Sequence, residues 1–411
     1  MEESSLYPLK FLPLFKNKVW GGNKIKELGF DYDPLPNCGE LWALSGMPGN
    51  ESVISNGFLA ENTLSDALEI YMGELLGEKN YLHFGNDFPL LIKLIDASDL
   101  LSIQVHPDDS LAQERGMENG KTEMWYVIEA EKGATLIDGF SQQINAEEFQ
   151  HILSLGHLED FLHTEQPQKG DVFFIPAGRI HAIGKGLLLA EIQQASDCTY
   201  RIYDYNRTDS KGKKRPLHIR EALDAIQYDT IKDGKCHYNY QENNTTHLVS
   251  CHCFNTNLIS LTKPVRKDFH SLDSFVVYFC VEGIAAIKSM EHICPVHAGE
   301  CVLVPAVADT VELFSEGPAK LLEIYIDPAQ WKEEDLRHQN DFDWLAQFIG
   351  TGQPEAYLDD LSIEDLAEIA DNYEEPDEDD DCQCGHHHDD HCGCGHHHHD
   401  DDCDCGHHHN K

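Results

Sequence analysis

Four side chains that can bind a metal lie between positions 104 and 181. They are Gln104 and His106 in LSIQVHPDD, Glu123 in GKTEMWY, and His181 in FFIPAGRIHAIG. Two imidazoles, a carboxylate and an amide oxygen suit Zn²⁺, and also Fe²⁺, Co²⁺ or Mn²⁺. Protein ligands that leave a position open for substrate are typical of a catalytic metal rather than a structural one. Taken singly, each histidine could instead be a surface residue or a core residue with its hydrogen bonds satisfied.

Short β-strands are predicted to position these four residues. Gln104 and His106 are two positions apart, so on a strand both side chains lie on the same face. Glu123 falls at the start of a strand and His181 beside the end of another, which fits neighbouring strands of a barrel converging on its interior. Gly and Pro punctuate runs of β-branched and aromatic residues, as in sandwiches and barrels. The clearest runs are Leu100–Val105, Met124–Ala130, Asp171–Ala177, Leu187–Gln194 and Phe275–Gly283.

Few helices are predicted. The segment Thr63–Gly77 has a capping signal, because Asp66 follows Thr63 by three positions. Its spacing places four apolar residues on one face, namely Leu64, Leu68, Met72 and Leu75. Shorter helices are expected at Asn145–Leu155 and Leu217–Ile226, with His218 and Arg220 on the surface of the latter, and one is expected to begin at Ser362.

An internal repeat indicates two copies of one β-rich module. GDVFFIPA at Gly170–Ala177 matches GECVLVPA at Gly299–Ala306, and a strand ending in an acidic residue and Gly lies upstream of each. The place of His181 is taken by Thr310 in the second copy, which also has no counterpart of QVHPDD. We therefore expect a metal site only in the first copy. The predicted divisions are an N-terminal module at 1–235, a second module at 236–330, a partly helical extension at 331–373 and an acidic tail at 374–411.

Composition excludes several classes of function. The chain has 411 residues, enough for two or three domains, and a net charge of −43 argues against nucleic-acid binding. No signal peptide or membrane-spanning run is evident, so a cytoplasmic location is expected.

The eight cysteines outside the tail are expected to be free thiols. Cys251 and Cys253 could bind a metal or could be two thiols in a strand, and the second interpretation is favoured because no further ligand pair sits at finger-like spacing.

Several segments resemble the type I mannose-6-phosphate isomerases of the cupin superfamily, and the shorter bacterial form above all. They are, in order, VWGG, GELWALSG, FPLLIKLIDA, QVHPDD, KTEMWY, GDVFFIPAGRIHAIG and TYRIYDYNR, between about Leu6 and Asp327. The resemblance implies tandem jelly-roll cupin modules. It also implies an enzyme acting on mannose 6-phosphate and fructose 6-phosphate, with Zn²⁺ bound by Gln104, His106, Glu123 and His181. No obligate protein partner is evident.

The reaction implied by the resemblance explains the neighbouring residue types. Interconverting an aldose and a ketose phosphate moves a proton between C1 and C2, and negative charge develops on the sugar oxygens. Lys121, two residues before Glu123, is a candidate to carry the proton, and Arg201 matches the family's catalytic arginine. Cationic candidates for the phosphate are Lys93, Arg201, Arg207 and Lys214. The alternative is a non-catalytic sugar-phosphate or metal-binding cupin, such as a sensor or a metal-storage protein, which would need the ligands but not Lys121 and Arg201.

The C-terminal tail has a separate metal-binding composition. Between Cys382 and Lys411 it contains six cysteines and eleven histidines, and a Cys-x-Cys-Gly-His-His-His unit occurs three times in its sequence. Such a segment cannot bury a core and is expected to be disordered without metal. An affinity tag and a solvated acidic tail fit less well than a reservoir or buffer for transition metals. The candidate ligands are Cys382, Cys384, His386, Cys392, Cys394, His396, Cys403, Cys405 and His407.

Overall fold

A computed structural model describes residues 6–208 and 212–332. Its strands in the first half are β1 (Leu9–Lys10), β2 (Leu14–Lys16), β3 (Glu40–Ser45), β4 (Leu90–Ala97), β5 (Ile103–Val105), β6 (Glu123–Ala130), β7 (Leu136–Phe140), β8 (Leu162–Glu165), β9 (Val172–Ile175), β10 (His181–Ile183), β11 (Leu187–Gln194) and β12 (Tyr200–Tyr203). Those that follow are β13 (Thr245–Ser250), β14 (Asn255–Leu261), β15 (Val265–Asp268), β16 (Val276–Glu282), β17 (Ile284–Ser289), β18 (His292–His297), β19 (Cys301–Val304), β20 (Thr310–Ser315) and β21 (Ala319–Tyr325).

Helices are short and lie between the strands. They are α1 (Lys24–Glu27), α2 (Leu64–Leu76), α3 (Glu78–Phe84), α4 (Asp109–Glu114), α5 (Ala146–Leu155) and α6 (Ile219–Ala225), with 3₁₀ turns at Leu158–Phe161 and Pro328–Gln330. None of the helices in the described residues is long and apolar enough to cross a membrane. The predicted mainly β fold class is confirmed.

The strands form four antiparallel sheets in two pairs. The first pair has a six-stranded sheet in the order β2-β3-β4-β11-β6-β9 and a five-stranded sheet in the order β12-β5-β10-β7-β8. The second pair has a six-stranded sheet, β1-β19-β16-β21-β14-β13, and a four-stranded sheet, β15-β20-β17-β18. One apolar cluster fills the space between the sheets of each pair. A larger cluster contains residues of both six-stranded sheets and joins the two pairs into one core.

The two pairs repeat the same strand order, as the internal repeat predicts. The order β4-β11-β6-β9 corresponds to β14-β21-β16-β19, and β5-β10-β7-β8 corresponds to β15-β20-β17-β18. In the first pair His181 lies opposite Gln104, whereas in the second Thr310 lies opposite the exposed Asp268. The position of Glu123 across from β9 is taken by Val276 across from β19. At this position the second pair therefore has an apolar side chain where the first has a buried carboxylate.

The helix predicted at Thr63–Gly77 is present, but one of its four face residues is placed differently. Thr63 caps α2 and forms the reciprocal capping box with Asp66 that the sequence predicts, and Leu64, Leu68 and Leu75 are buried. Met72 was predicted on the same face and is instead 45% exposed. The reason is a kink at this residue, whose φ of 45° and ψ of −124° are not helical and turn the side chain outward.

Removal of this cap is expected to lower stability measurably. Thr63→Ala deletes the side-chain acceptor for the Asp66 backbone N–H, and loss of such a cap costs about 1 kcal/mol. Urea unfolding should therefore show a lower midpoint with an unchanged slope. The control is Ser65→Ala in the first turn of the same helix, which leaves the cap intact. Equal midpoints for the two variants would contradict a stabilising role for the capping box.

Two further sequence predictions concern the pair Cys251 and Cys253 and the C-terminal region. Cys251 and Cys253 were predicted to lie in a strand, but they occupy the turn between β13 and β14, with the Cys251 N–H bonded to the Phe254 carbonyl at 3.0 Å. That prediction is wrong because the strand ends at Ser250 and the chain reverses within four residues. The helix expected at Ser362 and the metal-binding tail lie outside the described residues.

Candidate metal centre and active site

The candidate ligands come from both sheets of the first pair. Gln104 is in the middle of β5, and its neighbours across the five-stranded sheet are His181 on β10 and Arg201 on β12. Glu123 begins β6 of the facing six-stranded sheet. The potential ligand atoms of His106, Glu123 and His181 lie within 4.8 Å of one another, and all three residues are buried. The structure thus brings together residues that are far apart in the chain at one point between two sheets.

Backbone carbonyls orient the two histidines. Nδ1 of His106 donates to the Cys198 carbonyl at 2.8 Å, and Nδ1 of His181 donates to the Arg179 carbonyl at 2.9 Å. This arrangement directs Nε2 of both rings towards Glu123, at 3.4 Å from its carboxylate oxygens in each case. Hydrogen bonds of this kind fix the tautomer of metal-binding histidines.

Burial keeps both imidazoles in the neutral form that binds metals. Burial, followed by the charge of Lys121, lowers the pKa of His106 to about 3. Burial also lowers the pKa of His181. For Glu123 burial raises the pKa, but the charge of Lys121 is the largest opposing effect and the pKa lies well below its usual range. The cluster is therefore two neutral imidazoles and one carboxylate.

An unpaired carboxylate oxygen shows that a cation would fit this cluster. Oε1 of Glu123 is fully buried and has no hydrogen-bond partner, and an orphaned buried anionic oxygen is costly. Two neutral imidazoles and a carboxylate oxygen are a donor set that fits a divalent metal. Gln104 is adjacent, with its amide nitrogen 3.3 Å from Nε2 of His181, so a half-turn of the amide would direct Oε1 to the same point.

Lys121 contacts two members of this cluster. Its Nζ is 2.7 Å from Oε2 of Glu123 and 3.1 Å from Nε2 of His106. The residue is buried, with 5% of its surface exposed, and it also lines the cavity that opens above the cluster. It is therefore placed between the candidate metal ligands and the space where a substrate could bind.

The cavity has a volume of about 480 Å³ and a strongly polar wall. Four residues predicted to act in the site line this cavity, namely Lys93, Gln104, Lys121 and Arg201. Sequence reasoning missed several of its other charged and aromatic residues, which are Lys16, Lys18, Trp20, Glu40, Trp42, Glu191, Asp197 and Arg215. A volume of this size is in the ordinary range for small-molecule sites.

The predicted phosphate-binding residues differ in their surroundings. Arg201 donates to the Ser102 hydroxyl at 3.3 Å and to the Pro216 carbonyl at 3.0 Å. Lys93 is buried and donates to Glu191 at 2.9 Å and to Gln193 at 2.5 Å. Both carry hydrogen bonds to the protein while facing the cavity.

Arg207 and Lys214 do not line this cavity. Arg207 pairs with Asp204 at 2.5 Å and also donates to the Leu100 carbonyl. Lys214 is exposed and donates to Asn206 at 2.8 Å. The structure therefore does not bring these two residues together with Lys121 and Arg201.

Asp138, which lies opposite His181 on the neighbouring strand, gives a pH-dependent prediction. Burial raises the pKa of this carboxyl to about 6, although Arg179 lies 3.2 Å away. A folded-state pKa above the unfolded one stabilises the fold at low pH, and that stability is lost as pH rises from about 4 to about 6. Asp138→Asn has no such ionisation. Its free energy of unfolding relative to wild type is expected to be higher at pH 7.5 than at pH 4.5.

Urea unfolding at the two pH values measures this difference. The control is Ser141→Ala, an uncharged exposed change just after β7, whose effect should not depend on pH. If the difference in the free energy of unfolding between Asp138→Asn and wild type stayed constant from pH 4.5 to 7.5, burial would not raise the pKa of Asp138.

The fold and the buried cluster together define a tandem cupin with a candidate metal site. A family model, "Phosphomannose isomerase type I, catalytic domain", matches residues 9–138. The chain is 35% identical over 302 residues to mannose-6-phosphate isomerase ManA of Bacillus subtilis, which spans 72% of this chain and 93% of the relative. The chain belongs to the type I mannose-6-phosphate isomerase family.

Two further comparisons agree with this assignment. A mannose-6-phosphate isomerase of Streptococcus mutans is 42% identical over 227 residues, which are 53% of this chain and 67% of that protein. The crystal structure of the mannose 6-phosphate isomerase from Bacillus subtilis superposes with a TM-score of 0.68 at 31% identity, covering 78% of this chain and 99% of the other. The predicted family and the tandem cupin fold are confirmed.

Proposed function

We propose that this chain interconverts mannose 6-phosphate and fructose 6-phosphate with a bound divalent metal, for which Zn²⁺ is the first candidate. Family membership supports this reaction. The observation that carries it is the position of Lys121, whose Nζ contacts Glu123 and His106 and also faces the cavity. A proton-transfer group next to the candidate metal ligands is what an aldose–ketose isomerase needs.

The proposed reaction transfers one proton between two carbons. Lys121 carries the proton from C2 of the aldose to C1, while the hydroxyl proton moves from O2 to O1 through an enediol-like intermediate. A bound divalent metal would supply Lewis-acid stabilisation of the negative charge on the sugar oxygens. Glu123, whose Oε2 is 2.7 Å from Nζ, holds the lysine side chain in place.

Arg201 is proposed to bind the sugar oxygens and to stabilise their developing charge. It lies beside Gln104 in the sheet and faces the cavity, and preorganised donors of this kind are a large contribution to catalysis. Lys93 remains a proposed substrate contact that acts together with Glu191, to which it is bonded. For the phosphate, Arg215, Lys16 and Lys18 are better placed than Arg207, because they line the cavity.

A non-catalytic cupin that only binds sugar phosphate or metal is the alternative. It would need the ligands and the cationic wall but not a lysine held between two ligands. A coupled assay that follows fructose 6-phosphate formation from mannose 6-phosphate distinguishes the two, with glucose 6-phosphate as a comparison substrate. Turnover of mannose 6-phosphate supports the isomerase, whereas binding without turnover would favour the sensor.

The tail is proposed to bind transition metal as a reservoir or buffer. Its six cysteines and eleven histidines are soft and borderline ligands that suit Zn²⁺, Ni²⁺, Co²⁺ or Cu⁺. A chain ending at Tyr373 is expected to bind several fewer zinc equivalents than the full chain, as measured by equilibrium dialysis. An equal number of zinc equivalents in both would contradict the reservoir, and equal activity of both at limiting zinc would contradict a role in supplying the active site.

A further inference from the structure

A second group of ligand-type side chains lies where the two pairs of sheets meet. The turn between β13 and β14 carries Cys251, His252 and Cys253, and it packs against the first residue of α4, Asp109. Nε2 of His252 is 3.2 Å from Sγ of Cys253 and 3.6 Å from Oδ2 of Asp109. The thiol of Cys251, in the same turn, donates to the Phe254 carbonyl at 3.4 Å. None of these residues contributes to the proposed isomerase chemistry.

The protein holds the Asp109 carboxylate in a fixed orientation. Its Oδ1 accepts from the Gly120 N–H and from the side-chain amide of Gln194, both at 2.8 Å. Those two bonds leave Oδ2 facing His252. A carboxylate anchored by one oxygen with the other free is well arranged for a cation, because little conformational freedom is lost on binding.

The spacing of the donors matches tetrahedral zinc geometry. Bonds of about 2.0 Å to nitrogen or oxygen and about 2.3 Å to sulfur place ligand atoms roughly 3.3–3.8 Å apart. The observed separations of 3.2 and 3.6 Å are close to these values, and the atoms of Asp109, His252 and Cys253 all lie within 4.8 Å of one another. The Sγ of Cys251 is not within this distance of all three atoms, and rotation of its side chain away from the Phe254 carbonyl would bring a second sulfur to the site.

We propose that Asp109, His252 and Cys253, joined by Cys251 after rotation of its side chain, form a second metal site that binds a zinc-like divalent cation. The site is accessible from solvent, because the His252 side chain is 65% exposed and a cavity of about 220 Å³ borders His252 and Cys253. With Cys251 as the fourth protein ligand, the ion would be structural rather than catalytic. It would tie the start of α4, in the first module, to the turn in the second.

Site-resolved thiol alkylation tests this proposal without interference from the tail. The reduced full-length protein is treated with N-ethylmaleimide at free Zn²⁺ concentrations fixed by a chelator buffer, and peptide mapping gives the rate at each cysteine. Zinc is expected to slow alkylation of Cys251 and Cys253 by about tenfold or more, because a metal-bound thiolate is a poor nucleophile. The rate at Cys236, a half-buried thiol away from the site, should not change.

Variants identify the other two ligands. His252→Ala should abolish the protection by zinc, while His270→Ala, which removes an exposed histidine beside Asp309, should leave it intact. Asp109→Asn should raise the zinc concentration needed for half-protection. The proposal is overturned if zinc leaves the rates at Cys251 and Cys253 unchanged, if His252→Ala keeps full protection, or if the two cysteines form a disulfide that persists in reductant at saturating zinc.

Discussion

His181→Ala is expected to abolish the isomerase activity. The variant removes one of the three clustered side chains whose ligand atoms lie within 4.8 Å, and it leaves Glu123 and His106 as an incomplete set. Loss of Lewis-acid stabilisation amounts to several kcal/mol, and each 1.36 kcal/mol is a factor of ten in rate. We therefore expect kcat/KM for mannose 6-phosphate to fall by about 10³-fold or more at every free zinc concentration.

The control for this variant is His157→Ala, which removes an exposed histidine paired with the exposed Asp160. It should retain full activity. Circular dichroism and a thermal unfolding curve establish that His181→Ala is folded, since a buried side chain is removed. Activity of a folded His181→Ala protein within about tenfold of wild type would show that His181 does not hold a catalytic metal.

Lys121→Met is expected to have the second largest effect, and it should act on kcat. The substitution keeps an unbranched side chain of similar length but removes the amine that contacts Glu123 and His106. General acid–base catalysis contributes about 10²–10⁴-fold, so we expect kcat to fall within that range. Metal dependence of the residual activity should remain, because the imidazoles and the carboxylate are still present.

Lys132→Met, at an exposed position in the loop after β6, is the matched control and should behave as wild type. Measuring the effects of the substitution on kcat and on KM separately distinguishes a role in proton transfer from a role in substrate binding. If Lys121→Met raised KM with kcat unchanged, Lys121 would be a substrate-binding residue and a different group would carry the proton.

Much of the central site follows from the sequence because strand periodicity is a local property. Gln104 lies on β5 and Glu123 begins β6, whereas His106, expected on the same strand as Gln104, directly follows the last residue of β5. The repeat with Thr310 in the place of His181 also predicts that only one module keeps the buried cluster. In the structure His181 pairs with Gln104 and Arg201 pairs with the same residue from the other side.

The parts that the sequence did not predict depend on contacts between distant segments. Lys16 comes from β2 and Arg215 from the segment before α6, and no local pattern connects either to the cavity. In the same way, Asp109 meets the Cys251–Cys253 turn only because the two pairs of sheets pack together. Met72 is exposed because of a backbone kink within a regular apolar pattern.

The most direct test of the central claim is an NMR measurement of mannose 6-phosphate incubated with the full-length protein in D₂O. Three samples are compared: protein as purified, protein treated with chelator, and treated protein with Zn²⁺ restored. Our account predicts formation of fructose 6-phosphate in the first sample, its loss in the second and its return in the third, with the rate strongly reduced by Lys121→Met. No conversion of mannose 6-phosphate by the metal-loaded protein, or an unchanged rate after chelation, would contradict it.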